Sequence, residues 1–445
     1  MNLREFADRL FRRGQAEGFG PMEVYVQSTG QLSVRVFQDQ LDSYSLAESR
    51  GLSFRGLYRD KLGYAFTEKL DQESIELLVA EAKSNAGHVE SEDVEEIHRG
   101  SPSYPELDLE SPEVARLTGA RLIELAQETA ALARDADGRV KFVNSGLSRT
   151  STERVIINTH GLDLTARGHY LTGGVDVVAV DGSERRSGRE FWGGRQLARL
   201  EPGVLAATAV AEAVSMFGAS PVESGTYPVL LRWDVAADLL ATFSGVFSAE
   251  SVHKGLSLLK DRLGTQVAHE IVTLADDPFL PQGAGSTPFD AEGVATSPRE
   301  IISAGTLATY LHNLKTARKD GVASTGHAFR SSFKSTVEVA PHNLFVSAGG
   351  HSFDQLVAGM EQGLLITSVQ GLHSGAKPVS GDFSVGATGY LIQRGVVAAP
   401  VDQVTVAGNF FRMLLDVEAV GSDLNFRWSY GSPALRIRAL AVAGK

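Results

Sequence analysis

The stretch Met22-Glu-Val-Tyr-Val-Gln-Ser-Thr-Gly-Gln-Leu-Ser-Val-Arg-Val36 decides the fold class. Val24 and Val26, then Leu32, Val34 and Val36, alternate with polar neighbours, the period-2 pattern of a half-buried strand. Upstream, Leu3, Phe6, Leu10 and Phe11 recur at helical spacing, with Gly14 and Gly18 placed to end that helix. Downstream, Leu62, Tyr64 and Phe66 alternate again, and Gly30, Gly51, Gly56 and Arg59-Asp60-Lys61 read as turns of an antiparallel meander. A second helix is expected from about Asp71, with Ile75, Leu78, Val79 and Ala82 on one face and Gly87 as C-cap.

Residues 88–112 change character. Glu90, Glu92, Asp93, Glu95, Glu96, Glu106, Asp108 and Glu110 stand among three prolines and read as an acidic, extended linker, with a cation site as the functional alternative. Ser111-Pro112-Glu113 starts a helix expected to reach about Arg134. Strands follow near 139–145, 152–159 and 162–180, with a turn at Thr159-His160-Gly161. Glu184–Arg189 reads as a short, basic, solvated turn, and a helix is expected from Glu201 to Phe217. Beyond Pro221–Pro228 come the strand Val229-Leu230-Leu231 and a helix from Asp234. After residue 264 the pattern is strands and glycine turns, with helices near 352–361 and 408–416. No regular βαβ rhythm appears, so the expected class is α+β, helices with antiparallel or mixed sheets. The expected divisions are 1–90, an acidic linker at 91–112, 113–222 and a β-rich part at 225–445.

The chain has 445 residues, no cysteine and a formal net charge of −12. Disulfides, thiolate nucleophiles and Cys-ligated metals are excluded. The acidic balance argues against coating nucleic acid, which needs a basic surface. Arg4, Glu5, Asp8 and Arg9 interrupt any export signal, and no run of about 18 apolar residues occurs, so a cytoplasmic location without membrane contact is expected. His269-Glu270 begins an H-E-x-x-H pattern, but Thr273 and Leu274 stand where the second histidine would be. The other histidines show no i,i+4 pairing, and Asp276-Asp277-Pro278 suits either a cation or a turn. Phosphate-binding loops, dinucleotide fingerprints and the G-x-S-x-G elbow are missing. These residue patterns leave the function open.

An ordered series in the second half narrows it: Lys254–Gly264, Asp276-Asp277-Pro278, Pro288-Phe-Asp-Ala-Glu-Gly293, Ala304-Gly305-Thr306, Tyr310-Leu-His-Asn313, Thr316-Ala-Arg318, Ser324-Thr-Gly326, Ser380-Gly-Asp-Phe-Ser384, Gly389–Ile392, Gly421–Leu424 and Pro433–Ile437. This set resembles the TldD/PmbA family, also called modulators of DNA gyrase, and the resemblance covers most of the chain. It implies a dimeric cytoplasmic metalloprotease that trims unfolded or modified peptides. Its TldD-like subunit carries H-E-x-x-x-H on a helix and a cysteine further on, which together hold zinc.

Counting back from Lys254-Gly255, the resemblance puts that motif at 240–245, where this chain has Leu240, Ala241, Thr242, Phe243, Ser244 and Gly245, and Leu240 and Phe243 read instead as a packed apolar helix face. The cysteine region is Asn425-Phe-Arg-Trp-Ser-Tyr430. The chain therefore resembles the PmbA/TldE type. No catalytic residue and no metal are expected in it, and zinc is expected in a TldD-like partner. The expected partners are that subunit or a second copy, plus an extended peptide bound by β-augmentation. Asp276, Asp277, Phe289, Asp290, Gly293, Tyr310, Asn313, Arg318, Gly326, Gly381, Phe383 and Ser384 are the candidate cavity or motif residues. An autonomous hydrolase using Asp276, Asp277 and nearby histidines, and a protein-binding regulator of gyrase, are the alternatives.

Overall fold

The computed structural model describes residues 1–90 and 93–445. The helix α1 (Leu3–Ala16) leads into the meander β1 (Phe19–Phe37), β2 (Gln40–Tyr58) and β3 (Lys61–Thr67), followed by α2 (Gln72–Gly87). Next come α3 (Pro112–Ala115), α4 (Gly119–Ala136), β4 (Val140–Asn158), β5 (Asp163–Asp181), β6 (Glu184–Gly194) and α5 (Pro202–Ser215). These strands form one antiparallel sheet in the order β3-β2-β1-β4-β5-β6. At about 3.3 Å per residue, the 19 residues of β1 are long enough to serve two helical layers on one face. Val24 and Val26 pack under α1 and α2. Leu32, Val34 and Val36 pack under α4 and α5. On the opposite face, Tyr25 and Ile156 meet Phe289, Ala328 and Phe333 of the carboxy-terminal part.

That part begins with β7 (Gly225–Leu231), α6 (Trp233–Phe243), α7 (Ala249–His253), β8 (Leu274–Asp276), β9 (Arg299–Ser303), β10 (Thr306–Leu307) and α8 (Leu314–Asp320). It continues through β11 (Ala328–Phe329), β12 (Glu338–Val339), β13 (Leu344–Val346), α9 (Phe353–Ala358), β14 (Gln362–Gln370), α10 (Leu372–Gly375) and β15 (Ala376–Lys377). It ends with β16 (Asp382–Gln393), β17 (Val396–Asn409), α11 (Phe410–Leu415), β18 (Val417–Val420), β19 (Asn425–Arg427), β20 (Tyr430–Ser432) and β21 (Leu435–Ala443). β14 pairs with β7, β7 with β21, β21 with β17, β17 with β16, and β16 with β14 again. The ring closes into a barrel over the paired stretches of these strands. A second sheet, β10-β9-β8-β13-β20-β19, lies beside it. No helix among the described residues is long and apolar enough to cross a membrane.

The α+β class and the meander are as expected, and several local readings are corrected. Gly30, Gly51 and Gly56 lie inside strands. Gly51 is a close-approach position, because a Cβ there would sit 2.3 Å from the Phe333 ring. The helix expected over 112–134 is broken at 116–118, and Thr118 caps the second piece by accepting from the Arg121 N–H. The strands expected at 139–145 and 152–159 are the single β4. Glu184–Arg189 is strand, not a solvated turn; Arg186 pairs with Glu184 and, at 2.6 Å, with Asp402. In the acidic stretch, Ser91 and Glu92 lie outside the described residues. Residues 93–111 have no regular secondary structure but are strapped down. Lys315 pairs with Asp93 and Glu95, Arg318 pairs with Glu96, and Ile97 and Leu109 are buried.

A buried ionic network joins the first sheet to the rest. Arg55 of β2 donates to Glu23 of β1 at 2.8 and 3.2 Å and to Glu292 at 3.0 Å. All three side chains are at most 3% exposed. Burial alone would lower the Arg55 pKa, but Glu23 and Glu292 outweigh it and drive it up. Removing one member leaves a buried charge uncompensated. Arg55→Met should therefore lower stability by about 3–5 kcal/mol, measured by urea unfolding followed by fluorescence. Arg4→Ala, in an exposed pair with Asp163, should leave the same midpoint unmoved. At the barrel seam, a Cβ on Gly389 would sit 1.9 Å from the Leu365 carbonyl oxygen. Backbone has little room to yield, so Gly389→Ala should cost about 3 kcal/mol, the upper end for overpacking, read as a lowered thermal midpoint.

Candidate functional site

The helix α6 leaves β7 through Arg232, whose guanidinium grips Asp234 at 2.6 and 2.7 Å and Glu212 at 2.9 Å. One face of α6 is core: Leu240 and Phe243 are 3% and 0% exposed, and Phe243 stacks on Phe410 at 4.6 Å. This is the packed apolar face expected for Leu240 and Phe243. The other face is polar. Arg427 of β19 donates to Asp238 at 2.7 Å, and the Ser244 hydroxyl lies 3.2 Å from the Tyr430 hydroxyl. The fold thus brings 240–245 and 425–430, far apart in sequence, side by side. At the positions to which the resemblance assigns zinc ligands and base stand Leu240, Ala241 and Gly245, and Gly245 lies in the turn after the helix. Aliphatic side chains and a glycine offer no ligand atom and no base. The zinc of the TldD-like pattern does not fit here.

A cavity of about 530 Å³ opens beside this polar face. Asp234 and Asp238 on its wall are matched by Arg232 and Arg427. Burial pushes the Asp238 carboxyl up, while Arg427 pulls it down. Another wall is Thr367–Gln370 of β14. β14 pairs with β7 only through Leu364–Ile366, whereas its pairing with β16 continues to Gln370. Beyond Ile366 the β7 side of the strand is therefore open backbone at the cavity. Such an edge can accept an extended peptide through main-chain hydrogen bonds.

The sequence candidates are spread over several places. Asp276 is fully buried, and its Oδ2 accepts from His327 Nε2 at 3.0 Å while its Oδ1 accepts from the His342 backbone N–H at 2.9 Å. Burial pushes its carboxyl up, but its bond to His327 and the nearby imidazoles outweigh this and hold it below the ordinary range. Asp277 accepts from the Phe279 N–H and so serves a turn. Phe289 and Phe383 are core side chains. Asp290 accepts backbone N–H groups from Glu292, Val294 and Ala328. Burial and neighbouring Glu292 push it up to about 7. Gly293, Gly326 and Gly381 hold turns at positive φ. Tyr310 donates to the Leu259 carbonyl at 2.6 Å, Asn313 caps α8, and Arg318 pairs with Glu96. Ser384 is exposed on β16.

His327 and His342 are what residue-by-residue reading missed. With Asp276 they place one donor atom each within 4.8 Å of the others. Two imidazoles and a carboxylate are a chemically suitable set for a divalent transition ion. Each group is also satisfied within the protein. The other His327 nitrogen lies 2.8 Å from Thr325 Oγ1, and His342 Nε2 lies 2.7 Å from the Gly326 carbonyl. Burial, then His327, pull the His342 pKa down to about 4. The three positions stand 51 and 15 residues apart, so no local spacing signals them.

Comparison with known proteins agrees with this architecture. Family models for PmbA/TldA metallopeptidase match in three parts: domain 1 over residues 22–86, the central domain over 112–217 and the C-terminal domain over 224–444. A metalloprotease PmbA of Escherichia coli O157:H7 is 27% identical over 439 residues, 97% of this chain and 93% of that protein. The crystal structure of a Thermotoga maritima protein described as a modulator of a DNA gyrase superposes with a TM-score of 0.93 at 33% identity, covering 99% of this chain and all of that one. TldE of Thermococcus kodakarensis has the same fold, with a TM-score of 0.90 at 23% identity over 99% of this chain and all of its own. With all three models matched in order along nearly its whole length, the chain belongs to the PmbA/TldD metallopeptidase family.

Proposed function

We propose that this chain is a PmbA/TldE-type, non-catalytic subunit of a two-subunit metalloprotease, and that it helps to hold an extended peptide for a TldD-like partner. The observation that carries the reading is the junction of α6 with residues 425–430. The positions that would bind zinc and activate water hold Leu240, Ala241 and Gly245, and the polar groups beside them are paired with one another, Arg427 with Asp238 and Ser244 with Tyr430. The open edge of β14 beside the cavity supports peptide holding. Residues 40–51 of β2 lie beyond the reach of β3 and leave a further free edge, with Tyr44 and Leu46 54% and 63% exposed, which suits contact with a partner chain. Zinc belongs to the partner in this reading, and the pair works in the cytoplasm on unfolded or modified peptides.

The reading is tested by purifying the chain alone and together with a homologue bearing H-E-x-x-x-H. Alone it should not cleave an unfolded peptide; together the two should form a stable heterodimer with one zinc and cleave it. Cleavage by the chain alone with zinc bound would end the proposal and favour the Asp276 cluster as a centre. A second measurement addresses the cavity. A peptide with N-methyl groups on alternate amides loses main-chain donors, so its affinity for the complex should fall about 10-fold or more. Equal affinity for the methylated and unmethylated peptides would remove β-augmentation from the reading.

A further inference from the structure

Between the first sheet and the carboxy-terminal loops lies a second cavity of about 400 Å³. The charged side chains lining it are Arg154, Arg167, Arg195 and Arg330, and no Asp or Glu among the described residues is on its walls. In a chain of net charge −12 this is an unusual concentration of one sign. Three of the four guanidinium groups have evident partners. Arg167 pairs with Glu153 at 2.8 Å. Arg195 donates to the carbonyls of Leu109, His169 and Gly283. Arg330 donates to Ser53, approaches Glu23 at 3.5 Å and lies over the Tyr25 ring. Arg154 is different. It stands on β4 between Gln27 and Ala166, both on the same cavity wall. It is partly buried, and it has no hydrogen-bond or ion-pair partner among the described residues. A cation held out of bulk water without a counter-charge favours an anionic ligand, and a guanidinium fork matches an oxyanion.

The cavity has apolar flanks: Phe329 and Trp428 are 43% and 52% exposed. It also adjoins the α6 cavity, since Arg427 lies on the wall of one and Trp428 and Ser429 on the wall of the other. We infer that this cavity binds the C-terminal carboxylate of a peptide, with Arg154 as its charge partner and Phe329 and Trp428 beside the last side chains. The choice of a peptide as carrier rests on the function proposed above; the preference for an anion rests on the cavity alone.

The test uses the full chain without any protease partner, so its outcome is separable from the zinc and cleavage results. Binding of a fluorescent unfolded peptide with a free C-terminus is compared with that of the same peptide amidated, with inorganic phosphate as competitor, on the native protein and on Arg154→Ala. Amidation and Arg154→Ala should each weaken binding about 10-fold or more, as loss of one charge-assisted contact does, and added salt should weaken the free-acid peptide more than the amide. Equal binding of acid and amide, equal binding by Arg154→Ala, or binding of phosphate without binding of peptide would overturn the inference. The Arg154 side chain has no hydrogen-bond or ion-pair partner among the described residues, so the variant should fold, checked by circular dichroism. Should it not fold, the acid-versus-amide comparison on the native protein decides alone.

Discussion

The arrangement depends on one buried cation, Arg55, held between Glu23 and Glu292. Glu23 and Arg55 come from neighbouring strands of the first sheet, and Glu292 comes from a loop more than two hundred residues later. Desolvating three charges costs several kcal/mol each, and the contacts repay this only in a narrow geometry. The network therefore acts more as a positioning device than as a source of stability. Glu292 also accepts the Leu314 N–H at 2.8 Å, so the same carboxylate sets the start of α8. With Asp290 fixing the turn around Gly293 through backbone hydrogen bonds, the loop that meets the sheet has little freedom. Cavity walls drawn from two distant parts of the chain keep their spacing because this contact does.

The α6 junction sets a packed apolar face against a polar one within a single helix. Helix, adjoining strands and neighbouring loop are all present. Leu240 and Phe243 turn one face into core, where burying each side chain contributes roughly 1.5–3 kcal/mol. The polar face keeps its charges but pairs them internally, Asp234 with Arg232 and Asp238 with Arg427. An ion would have to displace those arginines before meeting a carboxylate. What the junction presents is a surface: the Thr367–Gln370 stretch of β14 with paired charges around it.

What was legible in the sequence follows from the range of the interactions. The α+β class and the first strands were readable because Val24, Val26, Leu32, Val34 and Val36 face helices on one side only, which leaves a period of two. Gly51 misled because a glycine that makes room for a distant ring looks the same, locally, as a glycine in a turn. Arg185, Arg186 and Arg189 suggested a solvated loop because the acids that accompany them, Glu184 apart, come from elsewhere in the chain, Asp402 among them. Leu240 and Phe243 were read correctly because a helix face is a local property. His327 and His342 were not, since only the pairing of β8 with β13 and the turn at Gly326 bring them to Asp276. Arg154 has no sequence signal at all. Its significance lies in the partners it lacks, which only a folded surface reveals.

The same logic bears on the acidic stretch that first suggested a linker. Three of its carboxylates are engaged: Asp93 and Glu95 meet Lys315, and Glu96 meets Arg318. Those pairs are partly exposed and reach solvent, so each contributes little stability, but they place the strap. Once strapped, the stretch carries Leu109 to the Arg195 cavity wall and Tyr104 to the Gly293 carbonyl at 2.8 Å. None of its described acids lines the cavity that holds Arg154. The net charge of the chain and the charge inside this cavity therefore have opposite signs. Long-range steering of an anionic ligand would be weak or adverse at low salt, because the Debye length reaches across the molecule there. Selection has to occur at contact distance. A free carboxylate at a peptide end, which can pair with one guanidinium while the preceding residues lie along an open strand, is a feature that contact of this kind can distinguish.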